Sequence, residues 1–125
     1  MIRLLIVELE PDDDPETRAL ARALRDSGVE VVYAKAATAE QIAHAAIQED
    51  VRAVGLVVRT DAHRRIAAQL AAEPIAGPST GTVVFATAEG DEPALRQSGV
   101  KAVFPFQDVE AVVTWVNARA VDHVR

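Results

Sequence analysis

The stretch Ile2-Arg-Leu-Leu-Ile-Val-Glu-Leu9, running through Glu10-Pro-Asp-Asp-Asp-Pro-Glu-Thr17 and an amphipathic segment to Ser27-Gly28-Val-Glu-Val-Val-Tyr-Ala34, decides the fold. Its first run is short and aliphatic, as a strand buried on both faces is. Asp14-Pro15 is an N-cap followed by proline at the first helical position, where the missing N–H would have had no partner in any case. Leu20 and Leu24 give that helix an inward face, and Gly28 is the residue type that closes a helix in the left-handed region. A second Val-rich run follows at once. The segment therefore reads as strand, helix, strand, with the two strands parallel.

Working outward, the same unit recurs. Val51 to Val58, Thr82 to Thr87 and Ala102 to Phe106 are further Val-rich runs bounded by turn residues. Thr38-Ala-Glu-Gln41 is a capping box, and apolar positions 39, 42, 43, 46 and 47 predict a helical stripe lying on the sheet. Ile66, Ala67 and Leu70 mark a third helix, and Pro93 to Gln97 a short fourth. Val109, Val112, Val113, Val116 and Ala120 mark a fifth, capped by Asp108. Residues 73–81, rich in Gly and Pro, form a connection within the domain, and no internal repeat is present. Five strand-helix units predict one domain over residues 1–125: a flavodoxin-like (Rossmann-like) three-layer α/β sandwich with a five-stranded parallel sheet in the order 2-1-3-4-5. Ligands of such sheets bind at the carboxyl ends of the strands. That edge is built from Glu8 to Pro15, Lys35 to Ala37, Arg59 to His63, Thr87 to Asp91 and Pro105 to Gln107.

Composition narrows the function. The 125 residues are 50% hydrophobic and 26% charged, enough for one ordinary core. A net charge of −6 argues against binding a phosphate backbone, which needs clustered Lys and Arg. Without cysteine there is no disulfide frame, thiolate nucleophile or Cys-based zinc site. The apolar run Leu4 to Val7 is too short for a signal peptide or membrane span, so a cytoplasmic protein that binds neither nucleic acid nor membrane is expected.

Several segments carry a family likeness. Arg22-Ala-Leu-Arg-Asp-Ser-Gly-Val-Glu-Val-Val-Tyr33, Thr38-Ala-Glu-Gln-Ile42, Ala45-Ala-Ile-Gln-Glu-Asp-Val51, Gly55-Leu56, Ala62-His63, Gly99-Val100 and Val113-Thr-Trp-Val116 together resemble the cobalamin-binding domain, or small subunit, of the methylmalonyl-CoA and isobutyryl-CoA mutases. The likeness spans nearly the whole chain and implies cobalt held by a loop histidine, with the nucleotide tail lodged beside the sheet. The ligand-binding signatures depart from it. The family motif D-x-H-x-x-G falls near Asp12, Asp14 and Thr17, so Asp stands in place of the axial His and no Gly follows. The tail-lining segment after the third strand becomes Val57-Val58-Arg59-Thr60, and the paired glycines after the fourth become Ala86-Thr87, whose side chains would narrow the groove. Oxygen ligands suit hard cations better than cobalt of this kind. The resemblance is to a degenerate member, with no cobalamin expected.

The acidic loop admits two readings. Glu8, Asp12, Asp13 and Asp14 could form a divalent-cation site; more simply, Asp14 caps the helix, Glu16 complements its dipole and the others are solvated. The second is preferred, and no metal site is expected. The loop also resembles that of receiver domains of response regulators, as do Leu5-Ile-Val-Glu8, Thr87-Ala88 and Phe104-Pro105-Phe106. Receiver chemistry requires an Asp ending the third strand and a Lys ending the fifth. Here Asp61 comes late, as an expected N-cap, Phe104 takes the Lys position, and Lys101 lies at the wrong end.

His63 falls in register with Ile66, Ala67 and Leu70, which makes it a hydrogen-bonded helix residue rather than a general base, while His44 and His123 are solvated. Arg59, His63, Arg64 and Arg65 could hold an anion, or simply pair with the acidic loop; exposed pairs of that sort contribute about 0–1 kcal/mol each. Trp115 lies about 120° off the fifth helix's apolar stripe, which suits either a partner surface or an intramolecular edge contact. The sequence thus points to a non-catalytic interaction or regulatory subunit with a protein partner or homo-oligomer, an acyl-CoA mutase-like subunit among the candidates. Its possible ligand or partner edge is Glu8, Asp13, Arg59, Asp61, His63 and Arg64. Two alternatives stand beside it: a working cobalamin-binding mutase subunit, which would make it part of an isomerase, and a pseudo-receiver.

Overall fold

The computed structural model describes residues 3–9, 14–72, 83–88, 92–105 and 108–124, the side chains of 92 and 119–124 excepted. Five strands, β1 (Arg3–Leu9), β2 (Glu30–Ala36), β3 (Ala53–Val58), β4 (Val83–Ala88) and β5 (Ala102–Pro105), alternate with α1 (Pro15–Asp26), α2 (Ala39–Gln48), α3 (Asp61–Ala72), α4 (Glu92–Gln97) and α5 (Val109–Val124). The sheet is wholly parallel in the order β2-β1-β3-β4-β5. This is the flavodoxin-like topology implied by the repeated strand-helix pattern, and its switch point lies between β1 and β3.

Period-two alternation sorts the strand side chains into two apolar layers. Leu4, Ile6, Ala53, Val57 and Phe85 pack with Leu20, Leu24, Val112 and Val116 from α1 and α5. Leu5, Val7, Val54, Leu56, Val84 and Ala86 pack on the opposite face with Ile42, Ala46, Ala67, Leu70 and Leu95 from α2, α3 and α4. Gly55 is required by close approach: a Cβ there would run into the Phe85 ring and stand 2.8 Å from Ile6 Cδ1. Gly28, at φ +97°, turns the chain out of α1 into β2.

The helix starts follow the sequence signals. Asp14 accepts from the Glu16 N–H, Thr38 and Gln41 form a reciprocal capping box, and Asp108 accepts from the Ala111 N–H at 3.2 Å. Two expectations are corrected. Asp61 is the first residue of α3 rather than its cap; the Thr60 hydroxyl accepts from the His63 N–H at 3.1 Å and fills that role. Ile47 does not lie on the sheet but is 51% exposed, because it sits about 100° around α2 from the centre of the Ala39, Ile42 and Ala46 stripe. Trp115 is half-buried and takes the intramolecular option, its ring centroid 5.3 Å from Phe85 and 5.8 Å from Phe104. No helix among the described residues is long and apolar enough to cross a membrane.

Candidate functional site

Alternation along β1 puts Glu8 on the α1 face with Leu4 and Ile6, at the carboxyl edge of the sheet. Its side chain is not solvated, contrary to expectation; Glu8 is only 1% exposed. A buried carboxylate needs compensation, and here it is extensive. Oε1 accepts from the Tyr33 hydroxyl at 2.7 Å, the Asp14 N–H at 3.0 Å and Arg18 Nη1 at 3.3 Å, while Lys35 Nζ lies 3.2 Å from Oε2. Burial alone pushes the Glu8 carboxyl up, but the Tyr33 hydroxyl, the Asp14 N–H and Lys35 together outweigh it and hold the group below its ordinary range. Burial, and then the Glu8 carboxylate, push the Tyr33 phenol strongly upward.

Asp14 is the second centre. Oδ1 accepts from the Glu16 N–H at 3.0 Å and Arg59 Nη2 at 2.6 Å; Oδ2 accepts from the Thr17 hydroxyl at 2.7 Å and Arg59 Nε at 3.3 Å. Burial raises the Asp14 pKa, yet the Thr17 and Arg59 donors lower it further, so the net direction is down. Arg59 also meets Glu16 at 3.2 Å. The expected pairing of the acidic and basic loops is therefore made by Arg59. Arg64 turns instead to Asp61 on its own helix, at 2.6 Å, with the Asp61 side chain 84% exposed. His63 is buried, as its register implied, and its Nδ1 accepts the Arg59 N–H at 3.1 Å. His44 is exposed. Asp12 and Asp13 lie outside the described residues, as does His123's side chain. Among the described residues no cluster of three or more His, Asp or Glu is placed to hold a metal ion.

Between α1 and α5 a cleft of about 220 Å³ opens at the same edge, lined by Glu16, Ala19, Leu20, Val57, Thr87, Asp108 and Val109. Of the two residues expected to narrow a groove here, Thr87 lines the cleft, whereas Ala86 points into the α2/α3/α4 layer and is fully buried. Val57 is a cleft wall, while Arg59 is drawn away to Asp14. At the sheet's other positions of interest, β3 ends in buried Val58, and Phe104 packs edge-on to Phe85 at 6.5 Å. Lys101 immediately precedes β5, at the amino edge.

Sequence reasoning missed Tyr33, Lys35 and Arg18 as the environment of Glu8, and Asp108 as part of a cleft. The signal was available in the register: parallel pairing sets Glu8 opposite Lys35 and Ile6 opposite Tyr33, so both β2 side chains flank the carboxylate.

No family model matches the chain, and no curated protein matches it. Solved structures do. A cobalamin-binding protein from Desulfitobacterium hafniense DCB-2 superposes with a TM-score of 0.77 at 13% identity, over 94% of this chain and 58% of that one. A NarL signal receiver domain from Mycobacterium tuberculosis gives 0.68 at 21% identity over 95% of both chains. The response regulator domain of Thermotoga maritima CheB gives 0.56 at 15%, over 94% and 92%. At these identities the likeness is one of fold, shared by cobalamin-binding and receiver domains alike. The chain spans 58% of the length of the cobalamin-binding protein it matches.

Proposed function

We propose that this chain is a non-catalytic, cofactor-free interaction or regulatory subunit built on the cobalamin-binding fold. The observation that carries this reading is the saturation of Asp14, which stands in the loop where the resemblance puts the axial ligand. A carboxylate offers about four acceptor sites. Arg59 Nη2 and Nε, the Glu16 N–H and the Thr17 hydroxyl supply four donors. A side chain so engaged, and paired with a guanidinium, offers no lone pair to cobalt.

The small size of the cleft supports the same reading for the cofactor's nucleotide tail. A cavity of ~150 Å³ holds one benzene, so about 220 Å³ encloses a single substituted ring and would leave the ribose and phosphate of a nucleotide tail outside it. Leu20 and Val57 wall it, and Thr87 stands where the resemblance puts a glycine that would let a ligand approach the strand. The domain's role is then to dock against a protein in the cytoplasm, either a second copy or another subunit, with acyl-CoA mutase-like subunits as candidates.

Titration of the purified chain with hydroxocobalamin and adenosylcobalamin tests the reading. The expected spectra are those of the free cofactors. A saturable shift at micromolar protein would overturn the proposal and restore the mutase-subunit alternative.

A further inference from the structure

We propose that the cleft between α1 and α5 binds a small organic cation, a protonated amine on an apolar body of about one ring. The inference goes beyond the subunit role and does not depend on it.

The cleft combines three features. Its walls are apolar: Ala19, Leu20, Val57 and Val109. At about 220 Å³ it is smaller than the roughly 300–1,000 Å³ of sites for larger ligands, which limits the occupant to about one ring and a short chain. Thr87 brings a hydroxyl into it from β4. Thr87 is 5% exposed, and among the described residues its hydroxyl has no hydrogen-bond partner. Facing the cleft, the hydroxyl can donate to or accept from a ligand's polar group.

Charge selects the sign of that ligand. Glu16 and Asp108 bring two carboxylates to the cleft. The nearby cation Arg59 contacts Glu16 at 3.2 Å, but its closer bond is to Asp14 at 2.6 Å. Among the described residues, Asp14, Glu16 and Asp108 thus set three negative charges against the Arg59 guanidinium. The positive ends of α1 and α5, which would otherwise attract an anion, are already complemented, since Asp14 accepts from the Glu16 N–H and Asp108 from the Ala111 N–H. An ammonium can meet the Asp108 or Glu16 carboxylate while the ring fills the space against Leu20 and Val57.

Calorimetric titration of the full chain with phenethylamine, 2-phenylethanol and phenylacetate separates the contributions. Phenethylamine is expected to bind saturably with a Kd of about 0.1–1 mM, an ordinary efficiency for so small a ligand. The alcohol should bind more weakly and the acid not at all. Asp108→Asn keeps the α5 cap, because Asn caps as well as Asp, and should weaken the amine about tenfold while leaving the alcohol unchanged. Thr87→Val, similar in shape, should weaken both several-fold at an unchanged melting temperature. Amide NMR shifts on titration should centre on Val57, Thr87 and Val109. The proposal is overturned if no probe saturates, if phenylacetate binds as tightly as the amine, if Asp108→Asn has no effect, or if the shifts fall elsewhere.

Discussion

The Tyr33 hydroxyl donates to Glu8 Oε1 at 2.7 Å, tying the edge strand β2 to a carboxylate that is 1% exposed at the end of β1. Lys35 and Arg18 reach the same carboxylate from more exposed positions. Those two contacts are partly screened by water, whereas the Tyr33 bond is shielded and charge-assisted.

Tyr33→Phe removes that donor and leaves the ring in place. The expected loss is about 1–2 kcal/mol, the cost of depriving a buried charged acceptor of one partner. For a chain of this size that lowers the melting temperature by about 4–8 °C. In a Glu8→Gln background the same change should cost clearly less, and a double-mutant cycle by thermal or urea unfolding measures the coupling. Equal costs in both backgrounds would show that Tyr33 acts through packing alone.

Arg59 and Arg64 are neighbours in the basic cluster but differ in what they meet. Arg59 grips Asp14, whose side chain is 7% exposed, through two nitrogens; Arg64 meets Asp61, whose side chain is 84% exposed. Removing one partner of a buried pair strands the other charge, and with the Arg59 side chain 32% exposed the cost is discounted for solvent. Arg59→Ala is expected to lose about 1–2 kcal/mol and Arg64→Ala less than about 0.5 kcal/mol. Urea midpoints at constant m-value check the ranking, and a larger loss for Arg64→Ala would contradict it.

Acid should destabilise the fold through the same two carboxylates. Glu8 and Asp14 both have pKa values below their ordinary 4.5 and 3.8, so between each unfolded value and the lower folded one the unfolded chain binds more protons. Stability from these groups is complete above the unfolded values and disappears as pH falls through the folded ones. Tyr33, shifted upward, acts at the other limit: its contribution is present below its unfolded value of 10.0 and is lost as pH rises toward the folded one. The melting temperature should thus be flat across neutral pH and fall at both extremes. Glu8→Gln is expected to flatten the acid limb, and an unaltered limb in that variant would remove Glu8 from the account.

Much of this was legible because it is local. Five Val-rich runs, Asp14-Pro15, the Thr38 and Gln41 box and Asp108 each declare themselves within a few residues; the strand order followed from assigning the five strand-helix units to the flavodoxin-like pattern, and the structure has that order. The state of Glu8 was not legible in the same way. A glutamate followed by Leu9, Glu10 and three aspartates looks solvated, and only the pairing of β1 with β2 and the docking of α1 bring Tyr33, Lys35 and Arg18 around it. For Arg59 the pairing with the acidic loop was legible, but not that Asp14, 45 residues away in sequence, would be the carboxylate it grips. Thr60 and Asp61 are both good caps, and the choice between them turns on where α3 leaves the sheet.

Gly55 offers a test of the core on the α1/α5 face of the sheet. The Phe85 ring lies over its Cα, with Ile6 Cδ1 2.8 Å from where a Cβ would stand. Phe85 also contacts Phe104 and Trp115, so it has little room to withdraw. Gly55→Ala should overpack the layer and cost about 1–3 kcal/mol, with perturbed tryptophan fluorescence from Trp115. An unchanged melting temperature would mean that the aromatic cluster is loose.

Phosphorylation is the remaining chemistry that this fold supports elsewhere, and the edge is poorly arranged for it. A phosphoryl acceptor at the end of β3 would need a carboxylate there, yet the strand ends in buried Val58 and the next side chain, Arg59, is held by Asp14. Asp61 stands in the first turn of α3, exposed and paired with Arg64 at 2.6 Å. Phe104, beside Trp115, occupies the part of β5 where a lysine would steady the transferred group, and positioning by such cations and Mg²⁺ is most of what phosphoryl transfer requires. Incubation with acetyl phosphate and Mg²⁺ is therefore expected to leave the intact mass unchanged, and beryllofluoride should not raise the melting temperature. A gain of one phosphoryl group that vanishes in Asp61→Asn would instead establish Asp61 as an acceptor and turn the domain into a working receiver.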